Sequence, residues 1–455
     1  TLGIGKGSVT LEDFNHAELV IVMGQNPGTN HPRMLTALGE TKKKGGKIIT
    51  INPLPEVGLM RYKDPQNPLK WIGKGQKLTD IFLQVKINGD VALLKIILKL
   101  LWEKEQKSPG TIFDHEFINS NTLGYDDFIK DLETYSIEEL IPQTGIDFEI
   151  IKEAATLIAA KKKIIICWAM GLTQHKNSVD NIREVVNLLL VKGSIGKQGA
   201  GTCPVSGHSN VQGDRTMGIW EKPKKEFLDN LEKEFNFKAP RKHGLDVVDA
   251  IEAMHQKKAK VFIGMGGNFL SATPDTEYTA KALQNCELTV HVSTKLNRSH
   301  LIHGKKALIL PCLGRSEKDI QEKGVQFVSV ENSMGVVHSS SGHLAPLSES
   351  LLSEPAIVAG MAKASLSNIT LNWSELIKDY DNIRNKIEAT IPGFEDYNTR
   401  IRNKGGFYLP NNARDKDFTP TLTGKANFTL NRISDITLKK DQFMMMTIRT
   451  HDQYN

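Results

Sequence analysis

Two stretches of the chain carry nearly the same chemistry: Ala17-Glu-Leu-Val-Ile-Val-Met-Gly24-Gln-Asn26-Pro and Ala259-Lys-Val-Phe-Ile-Gly-Met-Gly266-Gly267-Asn268-Phe. In each, an apolar, partly β-branched run reads as a buried strand that turns at Met-Gly-x-Asn into a helix. A glycine at the carboxyl end of a parallel strand lets backbone approach a phosphate. An asparagine beside it offers a donor and an acceptor where open α/β sheets bind ligands. Strand-glycine-helix junctions also occur in folds that bind nothing there, so the repetition carries the argument. It suggests either a symmetric cofactor or two nucleotide tails. A third apolar run, from Lys163, ends in Met170-Gly171 and is followed by Gln174. Residues 193–218 then hold seven glycines together with His208, Asn210 and Gln212, and long ordered loops of this kind are usually functional.

Several chemistries are excluded. Neither copy has the Gly-x-Gly-x-x-Gly spacing of a dinucleotide fingerprint, and no Gly-x-x-x-x-Gly-Lys-Ser/Thr loop is present, so NAD and ATP lose weight. Cys167, Cys203, Cys286 and Cys312 are far apart and cannot build a zinc ribbon or an iron–sulfur cluster locally. Such sparse cysteines suit a reducing, cytoplasmic compartment. The net charge of +6 is spread without a basic tract, which argues against nucleic acid. Ala92 to Trp102, the most apolar helical stretch, is interrupted by Lys95 and Lys99 and reads as amphipathic, not as a membrane span.

The elements that must position these residues follow an α/β pattern, and 455 residues with 39% hydrophobic content can bury a large core. After the first Met-Gly-x-Asn come a helix around 32–44, a strand at 47–51 ending in Asn52-Pro53, and a strand at 81–85. Asn88-Gly89-Asp90 opens the next helix with Asp90 as an N-cap, although a carboxylate there could equally accept from the two donors of a guanine edge. The second unit runs through strands at 260–264, 288–293 and 307–310. The expected division is a first α/β domain at 1–207, a second at 208–365, irregular packing segments at 366–440 and the start of a further domain at 441–455. The chain opens without methionine and stops after the strand-like run beginning at Phe443, which reads as a piece of a longer protein.

Taken together, Gly24-Gln-Asn26-Pro-Gly-Thr-Asn-His31, Met170-Gly-Leu-Thr-Gln174, Gly207-His208-Ser-Asn210-Val-Gln212-Gly213 and Met265-Gly-Gly-Asn268 resemble the molybdopterin oxidoreductases, in particular the formate-dehydrogenase-like α-subunits. The resemblance covers most of 1–365, and 447–454 looks like the opening of the family's C-terminal barrel. It implies two doubly wound, mostly parallel-sheet domains related by a pseudo-twofold, with a molybdenum bis(molybdopterin guanine dinucleotide) spread between them. Carried over by position, Gly24, Asn26, His31, Asn52, Pro53 and Asp90 line one tail. Gly266, Gly267, Asn268, Ser293, Thr294 and Asn297 line the other. Met170, Gly171, Gln174, Gly207, Asn210, Gln212 and Gly213 lie toward the pterins and the metal, with His208 and Ser206 as candidate catalytic residues.

The resemblance also implies a [4Fe-4S] cluster and a protein ligand to molybdenum in a segment preceding Thr1, so residues 1–455 alone are expected to hold little metal and to be inactive. Ser206 departs from the family's pattern, because formate dehydrogenases carry arginine in the matching Pro-Val-x-Gly position. Two functions follow: two-electron oxidation of a small substrate, formate being the first to test, or a non-catalytic module of the same fold that holds a guanine nucleotide or a pterin cofactor.

Overall fold

The computed structural model describes residues 1–63, 73–366, 369, 371–434 and 438–448. The chain forms two compact units. One comprises 1–209, 333–335 and the described part of 410–451; the other comprises 210–332 and 336–409.

The first unit is built on five parallel strands: β1 (Leu19–Met23), β2 (Lys47–Ile51), β3 (Ile81–Leu83), β4 (Ile164–Trp168) and β5 (Gly201–Pro204), in the order β3-β2-β1-β4-β5. Their apolar runs are continuous because both faces are covered. Leu19, Ile21, Met23, Ile164 and Ile166 join one core cluster with the helices α2 (Asp90–Lys107), α3 (Phe148–Ala159) and α4 (Ser178–Val191). Val20, Val22, Ile165 and Cys167 pack on the other face with Leu38 of α1 (Met34–Lys43). The sheet is therefore doubly wound, and the strand order reverses between β1 and β4, where such sheets open a crevice.

The second unit contains a parallel sheet of three strands, β6 (Val261–Met265), β7 (Leu288–Ser293) and β8 (Lys306–Pro311), in the order β8-β7-β6. Helices α5 (Val247–His255) and α6 (Thr276–Gln284) supply Ile251, Met254, Ala282 and Leu283 to the core beneath it, and α7 (Glu354–Ser365) packs Ile357 near Val292 and Cys312.

Four expectations change. Residues 193–218 are not one loop, since they contain β5 and a short helix, Val211–Thr216; glycine and proline hid the strand. Within 366–440, Trp373–Lys378 and Tyr380–Thr390 are helical, and Phe394, Tyr397 and Phe407 form a small core with Val337. Lys95 is not on a solvated face: it is 0% exposed, with its Nζ 2.9 Å from Asp131 and 4.0 Å from Glu184. Residues 443–448, expected as a strand, have no regular secondary structure, and 449–455 lie outside the described residues. Among the described residues no helix is long and apolar enough to cross a membrane.

Candidate functional site

Because the strands of the first sheet are parallel, the turns after β1, β2, β3, β4 and β5 all emerge at one end. The turns after β1 and β4 meet. Gly24 has φ +54°, its carbonyl accepts from the Gly171 N–H at 3.0 Å, and a Cβ on Gly24 would sit 2.8 Å from the Gly171 carbonyl carbon. A Cβ on Gly171 would lie 2.5 Å from the Gly24 oxygen. Only a glycine pair lets the two chains cross this closely. Gly28 and Gly58 repeat the device one turn further on, where a Cβ on Gly28 would meet the Gly58 Cα at 2.3 Å.

Around this crossing, Asn26 caps the short helix Pro27–Asn30 by accepting from Thr29 N–H at 3.2 Å. Its neighbour Gln25 is buried, with Nε2 3.3 Å from His31 Nδ1, while its Oε1 has no hydrogen-bond partner. His31 reaches the Ser206 carbonyl through Nε2 at 3.1 Å, and burial lowers its pKa against the raising effect of that contact. After β2, Asn52 Nδ2 donates to the Leu54 carbonyl at 2.8 Å, and the Pro53 carbonyl accepts from Gln84 at 3.1 Å. After β3, Asn88 has φ +64° and a buried Oδ1 without a partner.

Asp90 is the sharpest electrostatic feature of this end. It is 5% exposed, and burial pushes its carboxyl up to about 7 against the lowering effect of its own backbone N–H. It is not the N-cap of α2: that position is Gly89, and Asp90 is the first residue of the helix. Of the residues that matter here, Gln25 and Asn88 were missed in the sequence. Their adjacency to Gly24 and Asp90 was the available signal, but the orphaned oxygens exist only in three dimensions.

On β4's side, Met170 and Gln174 are exposed on the short helix Met170–Thr173 and its end. Ser206, Gly207 and His208 follow β5 in the first unit, the latter two exposed. The Ser206 backbone is held at both polar atoms, its N–H donating to Ser333 Oγ at 3.1 Å and its carbonyl accepting from His31.

Asn210, Gln212 and Gly213 belong to the second unit. Asn210 Oδ1 accepts from the Glu331 N–H at 3.0 Å, and its Nδ2 lies 3.4 Å from Asp214, so both ends of this amide are engaged within the unit. The turns after β6 and β7 are tied together: Asn297 Nδ2 donates to the Gly267 carbonyl at 2.9 Å, and Ser299 Oγ donates to Asn268 Oδ1 at 3.0 Å. Ser293 donates to the Lys295 carbonyl at 2.7 Å, and Thr294 is exposed. Gly266 and Gly267 have φ of +65° and +72°.

Among the described residues no cluster of three or more His, Cys, Asp or Glu could hold a metal ion. Each unit by itself presents glycines with amide heads beside them at its strand-end turns, and the first adds a buried carboxyl.

Comparison with known proteins agrees with this architecture. The description "Molybdopterin oxidoreductase" matches residues 6–302. An uncharacterised oxidoreductase of Mycobacterium tuberculosis is 48% identical over 456 residues, covering 100% of this chain and 58% of that protein. The protein YdeP of Escherichia coli K12 is 46% identical over 463 residues, covering 100% of this chain and 61% of its own length. More distantly, an alpha subunit of a formate dehydrogenase from Methanococcus maripaludis is 28% identical over 323 residues, 69% of this chain and 44% of that one. The acetylene hydratase of Pelobacter acetylenicus shares the fold with a TM-score of 0.62 at 17% identity, over 93% of this chain and 55% of its own. The chain thus spans about three-fifths of the length of its more similar curated relatives. On the matched sequence and the doubly wound sheet that carries the glycine crossing, the chain belongs to the molybdopterin oxidoreductase family.

Proposed function

We propose that the chain is the part of a cytoplasmic molybdenum-dependent oxidoreductase that holds a bis(molybdopterin guanine dinucleotide), with one guanine dinucleotide tail at the carboxyl end of each parallel sheet. The observation that carries this reading is the Gly24–Gly171 crossing at the point where the first sheet's strand order reverses. The surrounding residues fit the group. Neither glycine at the crossing carries a side chain, Gln25 Oε1 and Asn88 Oδ1 are buried acceptors without a protein partner, and Asp90 is a buried carboxyl on the first residue of α2. Guanine presents two neighbouring N–H donors, which a carboxylate accepts together.

Asn26, His31, Asn52 and Pro53 complete the first tail site. Gly266, Gly267, Asn268, Ser293, Thr294 and Asn297 form the second. Met170, Gly171, Gln174, Gly207, Asn210, Gln212 and Gly213 orient the pterins, and Ser206 and His208 meet the substrate. When bound, the molybdenum centre supplies the two-electron chemistry, while this chain positions it and excludes competing reactions. A [4Fe-4S] cluster is held by cysteines outside these residues. The four buried free thiols suit a reducing compartment. The substrate is a small molecule of the formate class, a reading supported by the distant similarity to a formate dehydrogenase.

Asp90 gives the test. Its folded pKa is raised above the unfolded value, so ionising it costs stability as pH rises from about 4 to 7, by up to about 4 kcal/mol. Asp90→Asn removes that cost. The variant is expected to melt higher than the parent at pH 8 and at the same temperature at pH 3. It is also expected to bind GDP at least tenfold more weakly in calorimetric titration, while the parent prefers GDP to ADP and releases no proton with ADP. Equal GDP affinity for parent and variant would remove Asp90 from the guanine site.

A further inference from the structure

Two of the four cysteines, distant in sequence, meet in the first sheet. Cys167 lies on β4 and Cys203 on β5, and the register of these parallel strands sets them directly opposite each other. Residues opposed in this way project to the same face of a sheet. Here that face is the apolar cluster of Val20, Val22, Ile48 and Ile165, in which both cysteines take part. Both are free, at 0% and 2% exposure, and the two thiols are in hydrogen-bond contact. Cys286 and Cys312 make the contrast, since they lie in two separate core clusters of the second unit.

The spacing suits a bond. Adjacent strands stand about 4.8 Å apart, within the range of roughly 4.4–6.8 Å between Cα atoms that a disulfide spans. The Cβ atoms must approach to about 3.5–4.5 Å, so the bond draws the strands together, and a bond under such tension is readily reduced again. In a reducing compartment a disulfide of this kind is transient and reports on oxidant.

β5 is the element such a bond would fix. It is the last strand of the sheet, it has four residues, and it pairs with β4. On its other side the Ser8 N–H donates to the Thr202 carbonyl at 2.9 Å. A short edge strand with glycine at its start opens at lower cost than the strands inside the sheet. Opening brings a water-sized oxidant to Cys203, while Cys167 stays covered on the interior strand. Burial and the adjoining Cys203 also push the Cys167 thiol up, which disfavours it as the first nucleophile.

We propose that Cys167 and Cys203 are a peroxide-sensitive site that closes to a reversible cross-strand disulfide and fastens β5 to β4. The Cys203 thiolate attacks one oxygen of hydrogen peroxide, the O–O bond breaks, and the hydroxide released takes up the proton that Cys203 gave away, leaving water and a sulfenic acid. The Cys167 sulfur then attacks the sulfenic sulfur, and its proton departs with the hydroxyl as a second water. In sum two thiols and one peroxide give one disulfide and two waters, with two electrons passing from sulfur to oxygen. The bond rests on strand register alone. Its bearing on catalysis rests on the function proposed above, because β4 and β5 run on to Gly171 and Ser206.

The test is peptide mapping by mass spectrometry of the full-length protein, exposed to hydrogen peroxide in its native state and then alkylated in denaturant. A peptide pair joined through Cys167 and Cys203 is expected, released by dithiothreitol, formed at the same rate after tenfold dilution, with Cys286 and Cys312 still alkylated. Cys167→Ser is expected to leave Cys203 as a sulfenic acid that dimedone traps, and Cys203→Ser to leave Cys167 alkylatable. In the oxidised parent the amides of 201–203 are expected to exchange at least tenfold more slowly. Survival of both thiols in the native protein, or a disulfide from either one to any other cysteine, overturns the proposal. Unchanged exchange at 201–203 in the oxidised protein overturns the fastening of β5. A bond formed in full-length protein that binds no molybdenum supports the site and refutes the functional reading; a loaded, active protein whose two thiols never pair does the reverse.

Discussion

Replacing Gly24 by valine will destabilise the protein by about 3–5 kcal/mol, enough to remove most of the stability of an ordinary domain. Two costs add. The residue sits at φ +54°, where a β-branched side chain is strained, and its Cβ would fall 2.8–2.9 Å from three backbone atoms of Gly171 and Leu172, none of which can rotate away. The matched control is Gly45→Ala, also left-handed at φ +86° but with nothing within 4 Å of the added carbon, for which only the conformational cost of about 1–2 kcal/mol is expected. Guanidinium unfolding of the two variants beside the parent separates steric closure from strain. If Gly24→Val costs no more than Gly45→Ala, the crossing is looser than described and its glycines have another purpose.

Ser206→Arg in the complete protein is expected to raise formate oxidation by about 10²- to 10³-fold at equal molybdenum content. Arginine offers a planar, permanently charged fork that binds a carboxylate at two points, and serine offers one neutral hydroxyl. The backbone at this position is pinned by Ser333 and His31, so the new side chain would project from a fixed point. Arg215, the nearest arginine in the sequence, has its guanidinium 5.6 Å from the centre of the Trp220 ring. Equal rates for parent and variant would show that position 206 does not govern substrate choice.

Much of the fold was legible because each buried strand announces itself. Leu19–Met23 and Ile164–Trp168 are unbroken apolar runs ending in glycine turns, and they lie where the run lengths put them. β5 was not legible, since Gly201-Thr-Cys-Pro204 has the composition of a loop and becomes a strand only because β4 offers it an edge. Lys95 misled for the opposite reason: a lysine in an apolar helix reads as the solvated side until Asp131 and Glu184, distant in sequence, arrive to pair with it. The packing of Tyr397 against Phe394 and Phe407 likewise depends on contacts that no local periodicity encodes. At the candidate site the glycines and Asn26 were readable from their repetition. The orphaned oxygens of Gln25 and Asn88, and the burial that raises Asp90, required the folded chain.

The proposed ligand is a molybdenum cofactor with two guanine dinucleotide tails. This identity is tested most directly by the stoichiometry of the full-length protein purified from cells supplied with molybdate: molybdenum by mass spectrometry, and the nucleotide released by acid identified and counted. Two GMP and one molybdenum per chain are expected. One GMP per molybdenum, CMP in place of GMP, or protein with neither metal nor nucleotide would contradict it.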